Sequence, residues 1–234
     1  MTPRAAARTS AVLRAVIEVS AIIFDLDGVL ADSSAVVDHA WAEWGNRQGI
    51  DAELIRRSIP GKRTRDAIQM LAPHSDFEAE AARIIAREES LVGLCVPIPG
   101  ARELLSGLPA GRWGVATSGT DTIARSRLAQ VGLPVPEVLI TAELVRHGKP
   151  DPEVYTRAAA ALGVEPGACL VFEDAPSGVG AARAAGAIVV GVLTWAPPGL
   201  LEAPYSVKDL RHVRVTAAAE RLRVELHEGL PAET

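Results

Sequence analysis

Apolar and polar positions fall into blocks along the 234-residue chain, and the blocks define elements. The run 19–24 is short, mostly apolar and β-branched, and it ends abruptly at Asp25. Such a run predicts a strand buried on both faces, as in a parallel sheet. Runs 113–117, 138–141 and 169–172 share this character, and 187–193 makes a fifth. Loop residues and a helix signal follow each one. Asp151, Pro152 and Glu153 supply an N-cap, a proline at the first helical position and an early acid ahead of Val154, Ala158 and Leu162, with Gly163 as the stop. A helix opening at Asp121 carries Ala124, Leu128 and Val131 on one face and closes at Gly132, and another runs from Pro176 to Gly186. Alternating strands and helices predict an α/β fold: a parallel, Rossmann-like sheet flanked by helices.

The stretch 34–96 breaks the alternation. Val36, Val37, Ala40, Trp41 and Trp44, and later Ile84 and Ile85, recur at helical spacing, and no convincing strand lies among them. A small α-helical cap inserted after the first strand is the simplest account, dividing an α/β core made of 1–33 and 97–234. Pro97, Ile98, Pro99 and Gly100 would form its return hinge. The first twenty residues read as a frayed or helical extension. The tail after Leu210 reads as a small hairpin built from 213–215 and 222–226.

Composition narrows the function classes. With 48% hydrophobic and 23% charged residues the chain is that of a globular protein, and with only 4% aromatics its core must rest on Ala, Val, Leu and Ile. Lys and Arg number 24 against 29 Asp and Glu, a net charge of −5, so the basic footprint that nucleic acids or anionic membrane surfaces demand is missing. Arg14 and Glu18 interrupt the N-terminal apolar run, and no stretch reaches bilayer-spanning length. Cys95 and Cys169 stand apart, without a metal-binding pattern, and read as buried thiols of a cytoplasmic protein.

Ligands of open α/β sheets bind beyond the carboxyl ends of the strands. There the sequence places Asp25 and Asp27, then Thr117 with Ser118 and Gly119, then Lys149, then Glu173 and Asp174. So many carboxylates on one sheet edge repel one another, and a hard divalent cation with oxygen ligands, Mg²⁺, resolves the repulsion. A metal beside a lysine and a threonine hydroxyl suits a phosphate dianion, with one carboxylate as nucleophile and a second moving the leaving-group proton. Rival motifs fail. Gly178, Val179 and Gly180 suggest a dinucleotide-binding turn, as in a nicotinamide oxidoreductase, but Arg183 stands where Gly or Ala is required and no acid follows at the ribose position. Gly61 to Thr64 is no phosphate loop, because Arg56 occupies the place of its first glycine. The five histidines are scattered, and the four tryptophans read as packing residues, Trp195 lying nearest the site.

In this order the residues resemble the haloacid dehalogenase-like phosphohydrolase superfamily. Its first motif matches Asp25-Leu26-Asp27-Gly28-Val29-Leu30, its second Thr117, its third Lys149-Pro150 and its fourth Glu173-Asp174, with Ala175 to Val179 following. The resemblance implies that Asp25 is the nucleophile and a Mg²⁺ ligand. It makes Asp27 the general acid and base, with its backbone carbonyl on the metal. Thr117 and Lys149 would hold the phosphoryl group, Asp174 would ligate the metal, and Glu173 would act through a metal-bound water. Asp27 favours phosphoryl transfer, since the dehalogenases lack an acid there, and Val37 replaces the histidine usual in β-phosphoglucomutases, so hydrolysis is expected over mutation. Residues 59–64 resemble the cap loop of sugar-phosphate and glycerol-phosphate phosphatases, with Lys62 or Arg63 touching the substrate's polar end and Ser118 and Gly119 lining its phosphate side. The expectation is a Mg²⁺-dependent phosphatase of a small phosphorylated metabolite, a monomer or weak homodimer. A phosphoglycolate-type phosphatase, a β-phosphoglucomutase-like phosphotransferase or a binding module without turnover are the alternatives.

Overall fold

The computed structural model describes residues 12–196, 199–218 and 221–228. The chain opens with β1 (Val12–Val19) and passes through Ser20 into β2 (Ala21–Phe24) and the short β3 (Ala31–Asp32). Four helices follow, α1 (Ser34–Gln48), α2 (Ala52–Ser58), α3 (Thr64–Leu71) and α4 (Phe77–Ser90), before β4 (Val96–Pro97). Alternation then sets in: α5 (Ala101–Ser106), β5 (Trp113–Ala116), α6 (Asp121–Gln130), β6 (Val138–Ile140), α7 (Glu153–Ala161), β7 (Cys169–Glu173), α8 (Pro176–Ala184) and β8 (Ile188–Val192). Three strands close the chain, β9 (Tyr205–Val207), β10 (Val213–Ala218) and β11 (Arg221–Glu228).

The central sheet is six-stranded and parallel in the order β6-β5-β2-β7-β8-β9. β2 and β7 are buried along their whole length, which is why they read as continuous apolar runs rather than alternating ones. Successive side chains of β2 go to opposite faces: Ile22 and Phe24 pack with Leu104 and Leu128 of α5 and α6, while Ala21 and Ile23 pack with Tyr155 and Ala182 of α7 and α8. The expected fold class is therefore what the chain adopts. The helix expected at Asp151 begins at Glu153, with Asp151 Oδ1 accepting the Glu153 N–H at 2.9 Å.

Between β3 and β4, helices α1 to α4 gather around a separate cluster containing Trp41, Trp44, Ile55, Ile68 and Ile84. The Trp41 and Trp44 rings meet edge to face at 5.4 Å. β3 and β4 pair antiparallel, Ala31 with Pro97 and Asp32 with Val96, so the chain enters and leaves the helical unit side by side. That pairing was not foreseen, because two-residue strands carry no periodicity.

The N-terminal segment differs from expectation as well. Over residues 12–19 it is neither frayed nor helical: β1 pairs antiparallel with β11, Val19 facing Leu222 and Val12 facing Glu228. The expected terminal hairpin exists, longer than foreseen, with β10 on the other side of β11. Leu222, Val224 and Leu226 of β11 point inward and alternate with Arg221, Arg223 and Glu225, and they join the same cluster as Ile17, Val19 and Leu104. Cys95 and Cys169 are buried free thiols, and no helix of the described residues is long and apolar enough to cross a membrane.

If the three-stranded sheet belongs to the cooperative core, Leu222→Ala removes a side chain that is 1% exposed and lowers unfolding stability by about 2–5 kcal/mol. Urea titration followed by tryptophan fluorescence measures this. A loss below about 0.5 kcal/mol, the level of a surface substitution, would show a sheet that does not share the core's stability.

Candidate active site

The last ladder bonds of the central strands fix where the polar residues begin. The Asp25 N–H donates to Phe172 O at 3.0 Å and the Thr117 N–H to Ile140 O at 2.9 Å, so both residues stand one step beyond their strands on backbone that the sheet still holds. Glu173 is the final residue of β7 and Asp174 the first beyond it. Lys149 reaches the same point from the loop before α7. Its Nζ donates to Asp25 Oδ1 at 2.8 Å, to Glu173 Oε1 at 2.6 Å and to Ala116 O at 3.4 Å. The side chain is 1% exposed and stands over the Tyr155 ring.

Glu173 is the fixed point of this arrangement. Oε1 accepts from Lys149 and from the Tyr155 hydroxyl at 2.8 Å, and Oε2 accepts the N–H groups of Asp174 and Ala175 at 2.8 and 3.0 Å. Four donors fill the four lone-pair sites of a carboxylate. Glu173 thereby anchors Lys149 and the turn into α8. Two glycines make the close approach possible. A Cβ on Gly178 would overlap the Glu173 carboxylate, and one on Gly28 would overlap that of Asp174, while Gly28 also holds a left-handed φ of 77°.

Carboxylate oxygens of Asp25, Glu173 and Asp174 lie within 4.8 Å of one another, all buried, with Lys149 as their cation. Burial pushes the Asp25 carboxyl up from its ordinary 3.8 to about 7; Lys149 opposes the rise and Glu173 and Asp27 add to it. Burial, Glu173 and Asp25 likewise raise Asp174 well above the usual range. Burial pulls the Lys149 ammonium down, but Asp25 and Glu173 outweigh it and hold the group above its ordinary value. Three desolvated acids against one ammonium leave an unmet demand for positive charge. Asp25 and Asp174, whose oxygens are not saturated by protein donors, fit a hard divalent cation.

Above this floor opens a cavity of about 270 Å³ between the sheet edge and the helical insert. Asp25, Asp27, Thr117, Ser118, Gly119, Asp174 and Lys62 line it, as the sequence led one to expect, and so does Trp195. Lys149 and Glu173 lie beneath it. Arg63 does not line it: its guanidinium is paired with Asp66 at 2.7 and 2.9 Å and donates to Val145 O at 3.2 Å. An Asp three residues further along the helix captures the cation that had been assigned to substrate. Together with Ser118 Oγ donating to Gly61 O at 2.7 Å and Ser177 Oγ to Pro60 O at 3.0 Å, Arg63 ties the 60–63 loop to the sheet edge.

Other cavity residues were not foreseen, chiefly Glu88, Arg127, Asp38, Trp41 and Arg56. A signal for two of them was present. Arg127 lies three residues past Ala124 and Glu88 four past Ile84, so each continues an apolar stripe and is placed to be buried. A second acidic group, His147 with Asp151 and Glu153, sits at the surface. There Glu153 is occupied by the backbone N–H groups of Arg146 and His147 and by Arg157.

A parallel α/β sheet with these acids and a lysine at its carboxyl edge, under a helical insert, defines a class, and comparison with known proteins gives the same class. The family model of haloacid dehalogenase-like hydrolases matches residues 19–186, and the chain belongs to that family. It is 38% identical over 203 residues to hexitol phosphatase A of Escherichia coli, covering 83% of this chain and 93% of that one. It is 34% identical over 190 residues to glycerol-1-phosphate phosphohydrolase 2 of Saccharomyces cerevisiae, 76% of each. Among solved structures, a hydrolase from Pseudomonas syringae superposes with a TM-score of 0.74 at 30% identity, covering 82% of this chain and 94% of that one.

The raised carboxyls give a signed prediction. Between 3.8 and about 7 the cation-free folded state keeps a proton on Asp25 that the unfolded chain has released, so this group's contribution to stability declines as pH rises through that window. A divalent cation needs Asp25 and Asp174 ionised and gains on the proton over the same range. The rise in Tm caused by Mg²⁺ should therefore be larger at about pH 7.5 than at about pH 5, and Asp174→Asn should remove most of it. Calorimetry after chelation checks this. A Mg²⁺ effect independent of pH, or untouched by Asp174→Asn, would contradict the site.

Proposed function

We propose that the protein is a Mg²⁺-dependent phosphomonoesterase that hydrolyses a small sugar or polyol phosphate through an aspartyl-phosphate at Asp25. The observation that carries the proposal is the Asp25 carboxylate at the floor of the cavity, with Oδ1 held by Lys149 and Thr117, Ser118 and Asp27 around it. Asp25 attacks phosphorus and the ester P–O bond breaks, while Asp27 gives its proton to the departing oxygen. Asp27, now a carboxylate, takes a proton from water as that water attacks phosphorus, and Asp25 is restored as phosphate leaves. Thr117 donates its hydroxyl to a phosphoryl oxygen, Ser118, whose hydroxyl is given to Gly61 O, offers its backbone N–H, and Lys149 opposes the protonation of Asp25 and aims it. Asp25, the Asp27 carbonyl and Asp174 would hold Mg²⁺, which supplies positive charge against the phosphoryl group.

The helical unit 34–96 acts as the cap that closes the cavity and excludes water. Val37 lines the cavity and offers no proton-transferring group, which favours hydrolysis over intramolecular transfer. Trp41 and Trp195 line the cavity with aromatic surface, and Asp38 and Lys62 with charged groups, a mixture suited to a hydroxylated carbon chain. The names of the related hexitol and glycerol phosphate phosphatases support this substrate class. The buried free thiols support a reducing, cytoplasmic setting.

Phosphate release from a panel of hexitol, hexose, glycerol and glycolate phosphates, with and without Mg²⁺, tests the reading. Mg²⁺-dependent turnover that ranks hydroxylated esters highest, and that Asp25→Asn lowers by about a thousandfold or more, is expected. A preference for phosphoglycolate would reassign Lys62 to a carboxylate-bearing substrate. No release from any ester by folded, Mg²⁺-loaded protein would point to a binding module.

A further inference from the structure

A second buried cation crosses from the sheet to the helical insert. Arg127 of α6, whose side chain is 5% exposed, donates from one guanidinium nitrogen to Asp27 Oδ1 at 2.6 Å and from the other to Glu88 Oε2 of α4 at 2.8 Å. The Glu88 side chain is 6% exposed, and burial, opposed by Arg127, holds its carboxyl above the ordinary value. Asp27 Oδ1 also accepts from Ser33 Oγ at 2.6 Å. Among the described residues no donor reaches Asp27 Oδ2, and the Asp27 side chain is 29% exposed toward the cavity.

Stability alone does not ask for this pair. Position 127 continues the apolar face of Ala124 and Leu128, where a leucine would pack without desolvating two charges. What the pair does achieve is orientation. Arg127 and Ser33 together fix one oxygen of Asp27, which turns the other toward the cavity, and Glu88 holds the far side of the guanidinium from the helical insert. Because Glu88 also balances its charge, Arg127 orients Asp27 without bringing an uncompensated cation to the site.

We propose that Arg127 is a positioning residue for Asp27, with Glu88 as its anchor, so that the free oxygen of Asp27 faces the leaving group only while the helical insert is seated on the sheet edge. The proposal rests on the reading of Asp27 as the proton donor. In that step the proton passes from Asp27 to the ester oxygen as its bond to phosphorus breaks, so misplacing Asp27 matters most for leaving groups that cannot depart as free anions.

The test is the dependence of kcat/KM on leaving-group acidity for phenyl phosphate and ring-substituted phenyl phosphates, which fill the cavity alike. For the wild-type protein loaded with Mg²⁺ the dependence is expected to be shallow. In Arg127→Met it should steepen, phenyl phosphate losing at least about tenfold more than 4-nitrophenyl phosphate, within the span that general acid catalysis supplies. Arg127→Met strands Glu88, so the double variant Arg127→Met/Glu88→Met, free of both charges, must steepen in the same way. Glu88→Gln, which keeps an acceptor for the guanidinium, must stay shallow. A parallel loss across the series, as a structural role or a substrate contact would give, overturns the proposal. Asp27→Asn separates the two readings. If it leaves the dependence shallow, the reading of Asp27 as proton donor fails; if it steepens the dependence and the Arg127 variants do not, only the positioning role fails.

Discussion

The Lys149 ammonium lies enclosed between the carboxylates of Asp25 and Glu173, at 2.8 and 2.6 Å, and contacts the end of β5 through Ala116 O. Three neighbouring strands and the loop before α7 thus meet at one charge. Removing it would leave at least two desolvated acids without a partner, a change that costs about 3–5 kcal/mol for a broken buried pair. The same contact sets the chemistry. It opposes the rise that burial imposes on the Asp25 carboxyl and fixes one of its oxygens.

The acids below the cavity are placed against their own electrostatic preference. Asp25 is raised to about 7 by burial and by its acidic neighbours, and Asp174 is raised as well. Such clustering stores a demand for positive charge, which a divalent cation would meet. Glu173 is held in the cluster by four protein donors. The tolerance for so dense a cluster comes from backbone without side chains: Gly28 leaves space for Asp174, and Gly178 for Glu173.

Much of this was legible in the sequence, for a definite reason. Strands β2 and β7 are buried on both faces, so they appear as apolar runs, and a sudden group of acids at the end of such a run has no structural explanation. Asp25, Asp27 and Asp174 stand out in that way, whereas Thr117 and Lys149 gain meaning only from their order among them. β1 was not legible, because Arg14 and Glu18 dilute its pattern and its partner β11 lies at the opposite end of the chain. β9, with Tyr205 exposed and three residues in all, is an edge strand defined by its neighbour β8. Arg127 and Glu88 continue the apolar stripes of α6 and α4, which signals burial, but the partners they meet are set only when the helices pack. Arg63 shows the reverse: a cation on a loop that looked free and is claimed by Asp66.

The most direct test of the account is chemical capture of the nucleophile. Rapid acid quenching during turnover, followed by peptide mass mapping, should find a hydroxylamine-labile phosphoryl group on Asp25, present in the wild-type protein and missing from Asp25→Asn. Steady phosphate release with no phosphoryl group on Asp25 at any quench time, and with turnover surviving Asp25→Asn, would mean that water attacks the ester directly. Lys149 would then hold a structural acid and not a nucleophile.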